Sequence, residues 1–285
     1  MSRIVYVNGT YLPEEAATVS IFDRGFIFGD GVYEVTAVLN GHILEYEGHI
    51  QRLERSLREL DMGMPLEPEA LMGVHQELIR RNELNEGLVY LQVTRGVADR
   101  DFIYPENIPQ TVVLFTQARS LVNTPKATAG IRVISTADIR WARRDIKTVQ
   151  LVAQCMAKMH AKAAGKDDAW MVEDGYVTEG TSNNAYIITP EGALVTRNLS
   201  NAILSGITRS AVLKLAAENG LPIEERPFTI AEAQNAAEAF VTAATIFVCP
   251  VVEIDGQAIS GEQPGPLTRR LQELYLEEAI QRAQA

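Results

Sequence analysis

The order of apolar and polar positions divides the chain into strand-like and helix-like stretches. Ile4 to Val7 and Thr10 to Leu12 flank Asn8-Gly9, a dipeptide that accepts the positive φ angles of a tight turn, and predict a β-hairpin. Val32 to Leu39, Asn40-Gly41 and His42 to Tyr46 repeat the pattern. The period then changes. Ile50, Leu53, Leu57 and Leu60 fall three or four apart and predict a helix over Glu47 to Leu60, and a second helix is expected from Glu67 to Asn82. Leu88 to Thr94 and Thr111 to Phe115 read as buried strands. The polar, proline-containing stretch Arg119 to Lys126 reads as a linker.

Beyond it, Ile131 to Ser135 is expected to be a strand and Val149 to Ala164 a helix ended by Gly165. Strands are expected at Ala169 to Val172, Ala185 to Ile188, Ala193 to Val195, near Ile223, and at Ala239 to Val241. Helices are expected from Ile207 to Asn219 and from Pro266 onward. Strands and helices in mixed order predict an α+β (mixed α/β) fold. The expected organisation is an N-terminal domain over 1–118, a linker over 119–126, and a C-terminal domain over 127–285.

Composition narrows the functional classes. The 285 residues are 46% hydrophobic and 22% charged, as in an ordinary globular protein, and carry a formal net charge of −11. An acidic chain lacks the cationic face that sequence-independent nucleic-acid binding needs. The longest apolar run, Ala239 to Val252, is interrupted by Thr242, Thr245 and Pro250, and falls short of the ~18–20 residues that span a bilayer. No membrane or nucleic-acid partner is expected. The opening residues enter a strand directly, without the apolar core of a secretory signal. The two cysteines, Cys155 and Cys249, lack metal-ligand spacing and read as buried free thiols of a cytoplasmic protein, with no metal site.

Several segments could carry chemistry. Gly29-Asp-Gly31 opens a strand, not a helix, and lacks the third glycine of a dinucleotide fingerprint, so it reads as a close approach of two backbones. Every lysine lies beyond residue 118. Lys158, Lys162 and Lys166 form a solvated helical stripe, and Lys214 sits on a helix among apolar neighbours. Lys147 differs, because Arg140, Arg143 and Arg144 crowd it in sequence. Clustered cations lower an amine's pKa, and a neutral amine is what covalent lysine catalysis requires. The other reading is one more surface cation in a basic loop. The helix after Ser205-Gly206 begins with N–H groups that suit a phosphate, or that Ser205 simply caps. Glu179-Gly-Thr-Ser-Asn-Asn184 taken alone is a polar turn.

Together these segments resemble the fold-type-IV pyridoxal-phosphate aminotransferases, and within them the D-amino acid aminotransferase group. The resemblance rests on Phe28-Gly-Asp-Gly-Val-Tyr-Glu-Val35, His49-Ile-Gln-Arg-Leu53, Val93-Thr-Arg-Gly96, Asp145-Ile-Lys147, Glu179-Gly-Thr-Ser-Asn-Asn184 and Leu204-Ser-Gly-Ile-Thr-Arg209, in the family's order. It implies a two-domain fold of type IV that binds pyridoxal 5′-phosphate, and a homodimer in which the partner contributes residues. It implies transamination between a D-amino acid of the D-alanine or D-glutamate type and a 2-oxo acid, ping-pong through pyridoxamine phosphate.

The resemblance also assigns roles. Lys147 would link covalently to the cofactor and move the proton at the substrate Cα. Glu179 would pair with the pyridine nitrogen. Arg52 would hold the phosphate, with the backbone N–H groups of Ile207 and Thr208 and, in the turn Thr242-Ala-Ala-Thr245, that of Ala244. Leu204 would pack on the ring, and Arg140 would lie near its phenolic oxygen. Tyr33, Arg100, Phe102 and Ser182 would face the substrate. Phe102 stands where the D-amino acid group has histidine, which removes one hydrogen-bond donor to the substrate carboxylate, worth ~0.5–1.5 kcal/mol. That substitution keeps other reactions of the fold in view: branched-chain aminotransfer, (R)-amine transamination and aminodeoxychorismate lysis. Binding of the cofactor without turnover fits less well, because Lys147, Glu179 and Arg52 are all present.

Overall fold

The computed structural model describes residues Ser2 to Arg282, and the chain divides into two compact units. The first unit holds the chain up to Ser120, with Ile146–Gln150 and Arg282; the second holds Leu121–Asp145 and Leu151–Gln281. The sequence reading put Lys147 in the C-terminal domain. Residues 146–150 group with the first unit, where Thr148 bridges Val32 and backbone hydrogen bonds join Lys147 to Tyr33 and Val149 to Gly31.

The first unit starts with the expected hairpin, β1 (Ile4–Val7) and β2 (Thr10–Pro13), turning at Asn8 and Gly9 with φ of 47° and 92°. A short helix, α1 (Arg24–Phe28), precedes β3 (Gly31–Leu39) and β4 (His42–Ile43). The pattern did not predict α1; it spans five residues, capped by the Asp23 carboxylate on the Gly25 N–H at 2.8 Å. Two helices follow, α2 (Tyr46–Arg58) and α3 (Pro68–Arg81), then β5 (Glu86–Thr94) and β6 (Thr111–Ala118). The strands form one antiparallel sheet in the order β2-β1-β6-β5-β3-β4. Leu53 and Leu57 of α2 and Leu71 and Leu78 of α3 are fully buried with Val38, Val89, Leu91 and Leu114 of the sheet, and Ile146 belongs to the same core. Apolar residues at i, i+3 and i+7 (Ile50, Leu53, Leu57 and Leu71, Val74, Leu78) place one stripe of each helix in that core.

The second unit is built on a mixed sheet. Its elements are α4 (Pro125–Ala129), β7 (Ile131–Ala137), α5 (Val152–Ala163), β8 (Asp168–Glu173), β9 (Tyr176–Gly180), β10 (Asn184–Ile188), β11 (Leu194–Thr196), α6 (Ile207–Glu218), β12 (Ile223–Glu225), α7 (Ile230–Gln234), β13 (Glu238–Ala243), β14 (Phe247–Ile254), β15 (Gln257–Ala258) and α8 (Pro266–Arg282). The sheet order is β12-β11-β10-β13-β14-β7-β8-β9, with β15 beside β14. Pairs β11/β12, β14/β7 and β7/β8 are parallel. Trp170, Phe228, Val241 and Val251 belong to its principal core.

Four expectations change. Part of the supposed linker is α4, capped by the Thr124 hydroxyl on the Ala127 N–H at 3.1 Å. The helix expected from Val149 starts at Val152, because Thr148 bridges Val32 and the Val149 N–H donates to the Gly31 carbonyl. The long apolar run splits into β13 and β14; Pro250 fits because pairing with β7 begins one residue later, at Val251. Cys155 is exposed, and only Cys249 is buried. Among the described residues no helix is long and apolar enough to cross a membrane.

His75 of α3 is buried, with Nδ1 at 2.8 Å from the Leu71 carbonyl oxygen and the Tyr46 ring edge-on at 5.5 Å. Burial lowers its pKa from 6.5 to about 4. The unfolded chain therefore takes up a proton that the native state refuses, and stability falls as pH drops from 6.5 toward 4. Melting temperatures of the wild type across that window should fall more steeply than those of His75→Leu; parallel curves would show that His75 does not carry this dependence.

Candidate active site

Backbone pairing positions Lys147. The start of β3 lies against Ile146–Gln150: the Tyr33 N–H donates to the Lys147 carbonyl at 3.0 Å, and the Val149 N–H donates to the Gly31 carbonyl at 3.1 Å. Gly31 leaves room for a neighbouring backbone, since a Cβ there would come 2.8 Å from the Val93 carbonyl oxygen. The Lys147 N–H points to the Ser56 Oγ of α2 at 3.4 Å. Its Nζ lies 4.2 Å from the centre of the Tyr33 ring. Tyr33 stacks on Tyr90 at 5.6 Å, and Tyr90 on Phe115 at 4.7 Å. The Tyr90 hydroxyl donates to Gln92 Oε1 at 2.8 Å, and burial pushes its pKa up to about 12. An ammonium over an aromatic face gains electrostatic attraction, and the stack fixes where that face lies.

The strand-helix core of the same unit places Arg52. Its Nε and Nη2 donate to Glu34 Oε1 and Oε2 at 2.8 and 2.7 Å, and His49 Nδ1 sits 2.8 Å from Oε2. Glu34 is 1% exposed. Burial alone would raise its carboxyl, but the paired guanidinium and imidazole hold it well below the usual carboxylate range. Arg100 and Phe102 lie on the exposed connection between β5 and β6. The Arg100 guanidinium is 5.7 Å from the Phe28 ring and 5.5 Å from the Phe102 ring. Arg24 anchors this loop, donating to the Asp101 carbonyl at 2.7 Å, and Asp30 pairs with both Arg24 and Arg95 at 2.8 Å.

In the second unit Glu179 lies in β9, not in a turn. Asp174 and Gly175, with φ of 53° and 82°, close the β8–β9 hairpin, and this Asp-Gly signal stands in the sequence. Glu179 Oε1 accepts from Arg140 Nη1 at 2.5 Å. Its Oε2 accepts from Asn184 Nδ2 at 3.0 Å and from the Leu204 N–H at 3.1 Å. Burial raises its pKa against the pull of Arg140. The three arginines near Lys147 in sequence do not form a field of unbalanced positive charge: Arg140 pairs with Asp138 and Glu179, Arg143 with Asp145, and Arg144 with Glu173. The lysine stripe is likewise not merely solvated, since Lys158 pairs with buried Asp168 at 3.1 Å and Lys166 with Glu253. Asp168 also accepts from Thr181 Oγ1 at 2.6 Å and Asn183 Nδ2 at 2.7 Å, which holds the turn carrying the exposed Ser182.

The N-terminus of α6 is caught by no side chain. Its N-cap is Gly206, where a Cβ would come 2.2 Å from Asn184 Oδ1. Thr208 is buried, and its Oγ1 has no hydrogen-bond partner. An uncapped helix N-terminus beside an unpaired buried hydroxyl suits an anion with several acceptor oxygens. Ala244 lies in the turn between β13 and β14 and brings no side-chain donor. Within the first unit the structure joins Lys147 with Tyr33, and Arg100 with Phe102. Within the second it joins Glu179, Arg140 and Leu204. Ser56, Tyr90 and Asp138 were missed in the sequence, where nothing marks them apart from ordinary polar or aromatic residues; Asn184 stands in the Glu179–Asn184 segment, where it was given no role of its own.

Residues 31–254 match the amino-transferase class IV family. A D-alanine aminotransferase of Listeria monocytogenes serotype 4b (strain F2365) is 38% identical over 279 residues, covering 97% of this chain and 96% of that protein. One from Bacillus licheniformis is 39% identical over 270 residues, covering 94% of each. Among solved structures, a T.th. branched-chain amino acid aminotransferase with pyridoxamine 5′-phosphate superimposes with a TM-score of 0.91 at 27% identity, covering 99% of this chain and 95% of that one.

The Glu34–Arg52 pair has a measurable consequence. Removing one partner of a buried ion pair leaves the other charge uncompensated, so Glu34→Gln should cost ~3–5 kcal/mol in urea denaturation at neutral pH. An unchanged midpoint would show that the pair does not anchor α2 on the sheet.

Proposed function

We infer, for a chain that belongs to the class IV aminotransferases, that this pyridoxal-phosphate-dependent enzyme transfers the amino group of a D-amino acid to a 2-oxo acid. The geometric observation that carries the reading is the Lys147 amine over Tyr33, a proton carrier beside the side chain assigned to the substrate carboxylate. The names and near-complete coverage of the D-alanine aminotransferase relatives support the choice of D-amino acids.

The residues present fit the cofactor. Thr208 Oγ1 lacks a partner, the α6 N-terminus has no side-chain cap, and Glu179 is a buried carboxylate. When bound, the cofactor supplies an aldehyde that holds the amino group and a ring that withdraws electrons from the substrate Cα. Lys147 Nζ is the amine that would hold the cofactor aldehyde and carry the proton at the substrate Cα. Glu179 would keep the ring nitrogen protonated by offering it a negative charge. The N–H groups of Ile207, Thr208 and Ala244 and the Thr208 hydroxyl would hold the phosphate, and Arg52 is the guanidinium that would serve it. Leu204 would pack against the ring, and its N–H holds Glu179 in place. Arg140 has a fixed position as the partner of Glu179 and Asp138, and is the residue that would serve the ring's phenolic oxygen.

Tyr33, Arg100 and Ser182 bind the substrate, Arg100 by the bidentate fit of guanidinium to carboxylate. Phe102 replaces a polar contact with an apolar wall. The protein is proposed to act as a cytoplasmic homodimer. The exposed Ile21, Phe22, Phe26, Phe102 and Ile103 on neighbouring segments of the first unit, and the exposed thiol of Cys155, support that reading.

A panel of D- and L-amino acids and (R)-amines, each with pyruvate and 2-oxoglutarate, tests the assignment. D-alanine with 2-oxoglutarate should yield pyruvate, and turnover confined to L-branched-chain donors would overturn the D-amino acid reading. Lys147→Ala should abolish transamination, and full activity in that variant would remove its core.

A further inference from the structure

Glu179 is the inner end of a column of alternating charges within the second unit. Arg140 gives Glu179 one hydrogen bond, from Nη1 at 2.5 Å. It gives Asp138 three, from Nε and the backbone N–H to Oδ1 at 2.9 and 3.1 Å and from Nη2 to Oδ2 at 2.7 Å. Arg144 Nε follows at 3.7 Å from Asp138 Oδ2, and the terminal nitrogens of Arg144 both bond Glu173. The Asp138 side chain is wholly buried, whereas that of Glu173 is 38% exposed, so the column runs from a buried carboxylate to solvent. Thr178 Oγ1, beside Glu179 in β9, donates to Asp138 Oδ2 at 2.7 Å. Burial works against the Asp138 carboxyl, but Arg140 and Thr178 hold it below its ordinary range.

Two consequences follow from this arrangement. The flat guanidinium of Arg140 has one edge committed to Asp138, so it cannot turn that edge to form a bidentate pair with Glu179. Three carboxylates against two guanidiniums also leave the column one negative charge in excess. We propose that Asp138 is a positioning residue for the cofactor site: by holding Arg140 to a single bond with Glu179, it preserves on Glu179 the negative charge that a cationic ring nitrogen requires. This rests on the reading of Glu179 given above. Asp138 touches neither cofactor nor substrate in the proposal and acts only through Arg140.

The test measures cofactor dissociation by equilibrium dialysis and steady-state kinetics on the holoenzyme. Asp138→Asn should raise the cofactor Kd and lower kcat by about tenfold each, within the range found for coupled buried groups, and leave the donor KM within about twofold. Thr178→Val, which keeps the side-chain shape and loses the bond to Asp138, should move both quantities in the same direction by about threefold; it carries the test if the Asn variant does not fold. In a Glu179→Gln background neither substitution should add a further change. Wild-type Kd and kcat in Asp138→Asn, or an undiminished loss in the Glu179→Gln background, would overturn the proposal. Wild-type Kd and kcat in Glu179→Gln alone would instead overturn the underlying assignment of Glu179.

Discussion

The pairing of one short segment with the first residues of β3 decides where the Lys147 amine stands. Two backbone hydrogen bonds, from Tyr33 to Lys147 and from Val149 to Gly31, fix residues 146–150 against that strand. A lysine side chain has four rotatable bonds and a large entropy to lose, so a positioned amine needs a rigid base and a surface to lie on. The strand supplies the base. The Tyr33 face, braced by Tyr90 and Phe115, supplies the surface. The glycine at position 31 is what lets the neighbouring backbone of β5 come close enough for this strand to begin where it does.

Buried charge is the second constraint. Glu34 and Glu179 are almost fully withdrawn from water, and each is approached by an arginine. Their surroundings then part. Glu34 takes two guanidinium bonds and an imidazole, and is held strongly ionised. Glu179 receives one guanidinium bond and two weaker neutral donors, and burial pushes its pKa the other way. The first arrangement is a bidentate ion pair between α2 and the sheet. The second is a carboxylate left short of positive charge, which suits a group that must greet a cation.

The elements most legible in the sequence were those with a strong local period. The β1–β2 hairpin, α2, α3 and α6 follow from Asn-Gly turns and apolar spacing, and their ends fall within a few residues of expectation. The misses have physical causes. α1, α4 and α7 are five residues each, too short for a period to show. β14 is buried at every position, so it has no alternation to read. The start of α5 was misplaced because long-range pairing with β3 outweighs the local helical pattern of Val149 and Gln150.

By itself the sequence determined the family and the mixed architecture, and it offered Lys147 and Glu179 as the candidate amine and carboxylate, because the resemblance rests on particular residue types in a fixed order. The tertiary structure decided the electrostatics. In sequence the arginines near Lys147 look like an unbalanced cluster of charge, yet folding gives each of them a carboxylate from its own unit. It also chose Asp138, Tyr90, Ser56 and Asn184 as supports. Their roles depend on which side chains come within 3 to 6 Å after the chain has turned back on itself, and Coulomb and stacking energies depend on that separation rather than on distance along the chain.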